Sequence, residues 1–141
     1  SIRVLARLPK DACLIIAGSG SEKDFLVSLA KNLKVDERVF FEDPEDVAPF
    51  YALADAVLVP SRYEGYGLVI VEALAAGKPV ISTEVGVAKE AGAIITTPDH
   101  FAETVLAWLK DGPQEMELKD YPYKNFDEYV KAYCEDILAA R

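Results

Sequence analysis

Histidine, methionine and tryptophan occur once each in this chain of 141 residues, and cysteine only twice. The single histidine, His100, and two distant cysteines, Cys13 and Cys134, provide no metal-ligand spacing, so no metal is expected. Both cysteines are expected to be reduced and packed, as in a cytosolic chain, and His100 to lie on the surface. Basic residues are also scarce: 15 Lys and Arg against 24 Asp and Glu give a net charge of −9, which opposes nucleic acid and anionic membrane surfaces as partners. No apolar run reaches the roughly 18–20 residues of a membrane-spanning helix, and no signal-peptide pattern is present. Ser1, with no methionine before it, suggests a trimmed start. What is present suits one compact α/β domain: 51% apolar and 28% charged residues place the chain outside the disordered and membrane classes.

Short apolar strands alternate with helical stripes along the chain. Ile2, Val4, Leu5 and Leu8 make a short stripe, and a strand follows over Ala12 to Ala17. Ser21 caps a helix with core positions Phe25, Leu26, Leu29 and Leu33. Val39 to Phe41 is a strand, and Asp43 with Pro44 signals a helix burying Val47, Phe50 and Tyr51. After a further strand–helix–strand unit, Ser82 to Ala91 reads as a loop and Ala93 to Thr96 as the last strand. Thr97 and Pro98 open a helix burying Phe101, Val105, Leu106 and Leu109. Residues 1–112 thus form the folded unit, 113–124 a linker and 125–141 a terminal helix with an apolar stripe at Phe126, Tyr129, Val130, Tyr133, Cys134 and Ile137. This alternation predicts a doubly wound parallel sheet with helices on both faces and ligands at the carboxyl ends of its strands.

The densest chemistry lies between Pro60 and Ile81. An apolar strand ending at Val59 meets Pro60, then the polar turn Ser61-Arg62-Tyr63-Glu64-Gly65-Tyr66-Gly67, then the helix Leu68-Val69-Ile70-Val71-Glu72-Ala73-Leu74-Ala75-Ala76. Gly77 and Pro79 end that helix, and Val80-Ile81 begins the next strand. The first amides of a helix have no intrahelical acceptor and its dipole is positive there, so the turn suits an anion. Gly65 and Gly67 lack a Cβ and let a phosphate approach the backbone. Glu72 lies about 7–8 Å further along the helix axis at 1.5 Å per residue. Amide donors flanked by two carboxylates fit a nucleotide sugar, with phosphate on the amides and hydroxyls on Glu64 and Glu72. Either glutamate alone is equally an ordinary first-turn acid or a solvated face, but a carboxylate inside so apolar a helix calls for a partner. Gly18-Ser19-Gly20 is a second strand-to-helix turn. A dinucleotide fingerprint would need a third glycine where Lys23 stands, which disfavours an NAD domain.

This run resembles the donor-binding signature of the retaining glycosyltransferases of group 1, or family 4, whose GT-B fold has two Rossmann-like lobes. The matching elements are Pro60, Ser61, Glu64, Gly65-Tyr66-Gly67, Glu72 after seven intervening residues, Ala75-Ala76-Gly77 and Pro79-Val80-Ile81. Leu14 to Gly20 resembles the family's second strand and its glycine turn, and Arg38 to Phe41 with Val47 to Ala56 the elements that follow. The resemblance implies a nucleotide diphosphate sugar as donor, transfer of a hexose with retention, and no metal or other cofactor. It implies Glu64 as the catalytic-site residue that contacts the transferred sugar. The amides from Gly65 through Tyr66 and Gly67 to Leu68 would hold the distal phosphate, and Glu72 would accept from the ribose, with Ser61, Gly18 and Gly20 lining the donor site.

Some of the family's pattern is not matched. Its first donor-lobe strand, with an arginine and a lysine for the diphosphate, has no counterpart, so either a further N-terminal segment or a rearranged sheet is expected. Glu90 is the nearest match to the glutamate of the family's glycine-rich loop. The acceptor-binding lobe lies outside the chain, which is therefore expected to be inactive alone, cytoplasmic, and joined to any membrane only through that lobe. Two other readings stay open: a non-catalytic nucleotide-sugar-binding or scaffold module, and a lobe of a GT-B-like sugar-nucleotide epimerase.

Overall fold

The computed structural model of the chain describes residues 1–112, 116–119, 128, 130, 131 and 135. The elements run α1 (Ile2–Leu5), β1 (Leu14–Ala17), α2 (Lys23–Asn32), β2 (Val39–Glu42), α3 (Ala48–Leu53), β3 (Val57–Val59), α4 (Leu68–Ala75), β4 (Val80–Thr83), α5 (Ala88–Ala91), β5 (Ile94–Thr96) and α6 (Phe101–Asp111). Every pairing is parallel, as expected, and the helices lie between the strands they connect. Of the expected linker 113–124 and terminal helix 125–141, most residues, Cys134 among them, lie outside those described.

Among the described residues the strands form two sheets, β1–β2 and β3–β4–β5, with no pairing between the sets. In the three-stranded sheet side chains alternate with the pleat. Val57, Val59, Val80 and Ile95 pack on one face with Ile70, Ala73 and Leu74 of α4 and Ala88 and Ala91 of α5. Leu58, Ile81 and Ile94 pack on the other with Val4 of α1 and Phe101, Val105 and Trp108 of α6. Helices therefore cover both faces, and β4 is buried along its whole length, Ser82 and Thr83 included, their hydroxyls donating to backbone carbonyls.

The β1–β2 pair differs. Leu14 and Ile16 of β1 with Val39 and Phe41 of β2 pack under α1 and α2. Ile15 and Phe40, partners across the register, point to the opposite face and are 40% and 48% exposed. Cys13 precedes β1 with the same parity as Ile15 and is exposed, not packed, because nothing among the described residues covers that face.

Local signals were displaced in several places. Ser21 does not cap α2; Glu22 occupies that position without a side-chain cap bond, and Phe25 is 58% exposed while Leu26 and Leu29 pack inward. The helix signalled by Asp43 and Pro44 starts later, where the Asp46 carboxylate accepts from the Ala48 amide at 2.9 Å, and Pro49 sits in the first turn. Val47 is consequently exposed. The expected loop from Ser82 to Ala91 holds the end of β4 and the one-turn helix α5. In α6 the buried face passes through Trp108 rather than Leu109, following the i, i+4, i+7 spacing from Phe101. Residues 116–119 lie on the three-stranded half, with Met116 and Leu118 against its core and the Lys119 amide donating to the Ala91 carbonyl at 2.9 Å.

Candidate functional site

Strand β3 ends at Val59, and the chain turns through Ser61 to Gly67 before α4 begins. Gly67 is the N-cap, at φ +91°, a left-handed conformation that side chains disfavour. A Cβ there would also come within 3.0 Å of the Ile70 side chain. The cap leaves the leading amides of α4 without intrahelical acceptors, at the positive end of an eight-residue helix.

A second glycine fixes this turn from outside. Gly86, in the loop after β4, has φ +50°, and a Cβ at that position would lie 2.1 Å from the Tyr66 carbonyl oxygen. Only a bare backbone can pass so close, and the next residue uses the proximity, the Val87 amide donating to the same carbonyl at 2.9 Å. The Tyr66–Gly67 peptide plane is thus set by the β4 loop. Thr83, at the end of β4, donates its hydroxyl to the Ser61 carbonyl. The β3 and β4 turns are therefore laced together by backbone and hydroxyl alike.

The two glutamates lie in different surroundings. Glu64 is half-buried, and its Oε1 accepts from the Ser61 hydroxyl at 2.7 Å. Glu72 is on the exposed face of α4, not in the interior its apolar neighbours suggested, because Ile70, Ala73 and Leu74 occupy the inward face. Its partner is Tyr51 on α3, whose hydroxyl donates to Glu72 Oε2 at 2.9 Å. Burial, and then the bond to the Glu72 carboxylate, push the Tyr51 phenol well above its ordinary value.

Among the predicted site residues, then, the fold joins Ser61 to Glu64 and presents Gly65, Tyr66, Gly67 and Leu68 as one turn. Gly18 and Gly20 follow β1 in the other sheet, where the Gly18 amide donates to the Glu42 carbonyl at 2.8 Å and the Gly20 carbonyl accepts from Lys23 at 3.3 Å. Glu90 is exposed on α5. An open cleft of about 520 Å³ lies past the carboxyl ends of β3, β4 and β5, lined by Ser61, Arg62, Thr83, Glu84 and Thr97 among others. Ser61 is the one predicted site residue on its wall. Sequence reasoning gave Tyr51 a core role and Gly86 a loop role. Their contacts cross 21 and 20 positions of sequence, and no local pattern encodes either.

Chemically, the arrangement presents amide donors at a helix start beside one carboxylate held by a hydroxyl, with a second carboxylate held by a phenol along the same helix. Such a layout on a parallel α/β scaffold defines a Rossmann-like lobe of the GT-B type. Solved structures agree: WaaG, a glycosyltransferase involved in lipopolysaccharide biosynthesis, is 28% identical with a TM-score of 0.70, over 79% of this chain and 34% of that one. HepE of Anabaena, solved in complex with UDP-glucose, is 29% identical with a TM-score of 0.67, over 78% and 34% of the two chains. Residues 1–125 match the family described as Glycosyl transferases group 1, and the chain belongs to that family. A D-inositol 3-phosphate glycosyltransferase of Mycobacterium sp. (strain KMS) is 40% identical over 130 residues, covering 82% of this chain and 30% of that protein. An N-acetyl-alpha-D-glucosaminyl L-malate synthase of Bacillus anthracis is 43% identical over 77 residues, covering 54% and 20%. The chain spans about 30% of the length of the first of these curated relatives. No helix among the described residues is long and apolar enough to cross a membrane.

Proposed function

We propose that this chain is the donor-binding lobe of a retaining, family 4 glycosyltransferase that moves a hexose from a nucleotide diphosphate sugar to an acceptor. The observation that carries the reading is the turn from Ser61 to Leu68. Its peptide plane is fixed by Gly86 and Val87, its helix start is free of intrahelical acceptors, and its carboxylate Glu64 is held by Ser61. In this reading the amides of Gly65 to Leu68 bind the distal phosphate. The same dipole stabilises charge on the departing diphosphate in the transition state. Glu64 takes hydroxyls of the transferred sugar, Glu72 takes the ribose hydroxyls, and Gly18 and Gly20 border the nucleotide. Charge on the phosphates is met by backbone donors, so no divalent cation is needed. The acceptor and the remaining catalytic groups belong to a second lobe outside residues 1–112, so this chain alone binds donor without transferring sugar. The whole enzyme works in the cytoplasm, with any membrane contact made by that second lobe.

Calorimetric titration with UDP, GDP and ADP, with and without EDTA, tests the reading. One diphosphate binds, EDTA changes nothing, and Glu72→Ala weakens the complex about tenfold or more, the loss of a charge-assisted hydrogen bond. A folded chain that binds none of the three, or a Glu72→Ala variant that binds as the parent does, overturns it. A scaffold module would give the first of those results.

A further inference from the structure

Glu72 is exposed, and an exposed glutamate ordinarily samples many rotamers whose loss opposes any ligand it must receive. Here one oxygen is already held, Tyr51 donating its hydroxyl to Oε2 at 2.9 Å. Tyr51 is itself immobilised. Its ring packs against the core of the three-stranded half, and the carbonyl of the next residue, Ala52, accepts from Lys78 Nζ at 3.0 Å, tying α3 to the far end of α4. Among the described residues the hydroxyl makes no other hydrogen bond, and the upward shift of its pKa keeps it a donor across the neutral range. A carboxylate offers about four lone-pair directions, so the bond to Tyr51 leaves Oε1 and one side of Oε2 open to further donors.

We infer that Tyr51 is a positioning residue for Glu72: it holds Oε2 so that Oε1 is presented, in one orientation, to the vicinal hydroxyls of a nucleoside diphosphate. The inference rests on the role given to Glu72 above, and it adds that ribose selectivity is set in part from α3, a helix outside the signature turn. The phenol gains nothing from a nucleotide lacking those hydroxyls, because it touches Glu72 and not the ligand.

The test compares UDP with 2′,3′-dideoxy-UDP on the parent chain, Glu72→Gln and Tyr51→Phe, by calorimetry, with thermal midpoints as the folding control. The parent prefers UDP, and Glu72→Gln abolishes most of that preference. Tyr51→Phe keeps the ring and its packing. It weakens UDP by about 5-fold, the weight of one ordinary hydrogen bond, and leaves dideoxy-UDP unchanged. A purely structural tie between α3 and α4 would lower the thermal midpoint and move both ligands together, or neither. Equal loss for both ligands, an unchanged ratio, or tighter UDP binding in Tyr51→Phe overturns the inference while the role of Glu72 stands. A Glu72→Gln variant that keeps the preference, or a parent chain that shows none, removes the role of Glu72 and the inference with it.

Discussion

The two sheets were built from similar sequence and ended differently. β4 is flanked by strands on both sides and helices on both faces, and Val80, Ile81 and Ser82 are fully buried. β1, Leu14-Ile15-Ile16-Ala17, is more apolar than β4, Val80-Ile81-Ser82-Thr83, yet every second side chain faces outward. The difference lies in what covers the strand, not in the strand. A run apolar on both faces is a statement about intended surroundings, and only the β3–β4–β5 half has them among the described residues. The turn that carries the proposed chemistry leaves β3, so its geometry is referred to the better-packed half. Catalytic placement tolerates little slack, which gives that pairing a physical logic.

The sharpest way to break this comparison is to truncate matched residues in the two halves. Ile81→Ala removes a side chain with no exposure and should cost about 3–4 kcal/mol in urea unfolding, while Ile15→Ala on the uncovered face should cost under about 1. Equal costs would mean that the outer face of β1 is covered in solution. Next in size is Gly86→Ala. The new methyl cannot coexist with the Tyr66 carbonyl 2.1 Å away, so about 2 kcal/mol of stability should go and UDP affinity should fall at least tenfold. Retained affinity would show that the Tyr66–Gly67 plane is not set from the β4 loop. Ser61→Ala frees Glu64 from a 2.7 Å bond and should weaken a nucleotide sugar by about 5-fold, with the bare diphosphate unaffected. Loss on both ligands would instead assign Ser61 to the phosphate.

Two pH effects are smaller. The Tyr51 phenol is raised above 10.0 by burial and then by Glu72, so its contribution is complete below pH 10 and fades as pH rises beyond. Denaturation midpoints between pH 9 and 11 should fall less steeply in Tyr51→Phe, and identical slopes would mean that the phenol titrates normally. Glu103 is lowered from 4.5 chiefly by its bond to Arg7, so its contribution is present above that pH and lost as pH falls. Both partners are about half exposed, so Glu103→Gln should flatten the acid limb only slightly, and less in high salt.

Much of this architecture was legible because parallel α/β folds write their pattern locally. Gly67 and Gly77 bracket α4 in sequence as in space, and Pro60 and Pro79 mark the neighbouring strand boundaries. The turn from Ser61 to Leu68 could be located for the same reason. The rest depended on contacts across distance. Asp46, not Asp43, takes the first amide of α3, one residue ahead of the N-cap Val47, and Pro49, not Pro44, sits in that helix's first turn. Cys13 and Phe25 look like core residues until the covering layer is known, and a strand's two faces are indistinguishable when both are apolar. Glu72 looked enclosed from its neighbours in sequence, but helical periodicity placed it outward, where only a tyrosine from another helix reveals its orientation.

Helix α1 has a consequence for how the molecule comes apart. Ile2 and Leu5 enter the core beneath β1 and β2, Val4 enters the core shared with α6, and Leu8 touches both. Among the described residues a single turn of helix thus enters the cores of both sheets, and its three buried side chains hold a few kcal/mol of apolar burial. Cooperativity of unfolding passes through that turn. While it is docked the halves melt in one transition, and once it is undocked the β1–β2 half, covered on one face among the described residues, opens first. The earliest amides to exchange with solvent will lie in β1 and β2, far from the signature turn, and their rates will report on Val4.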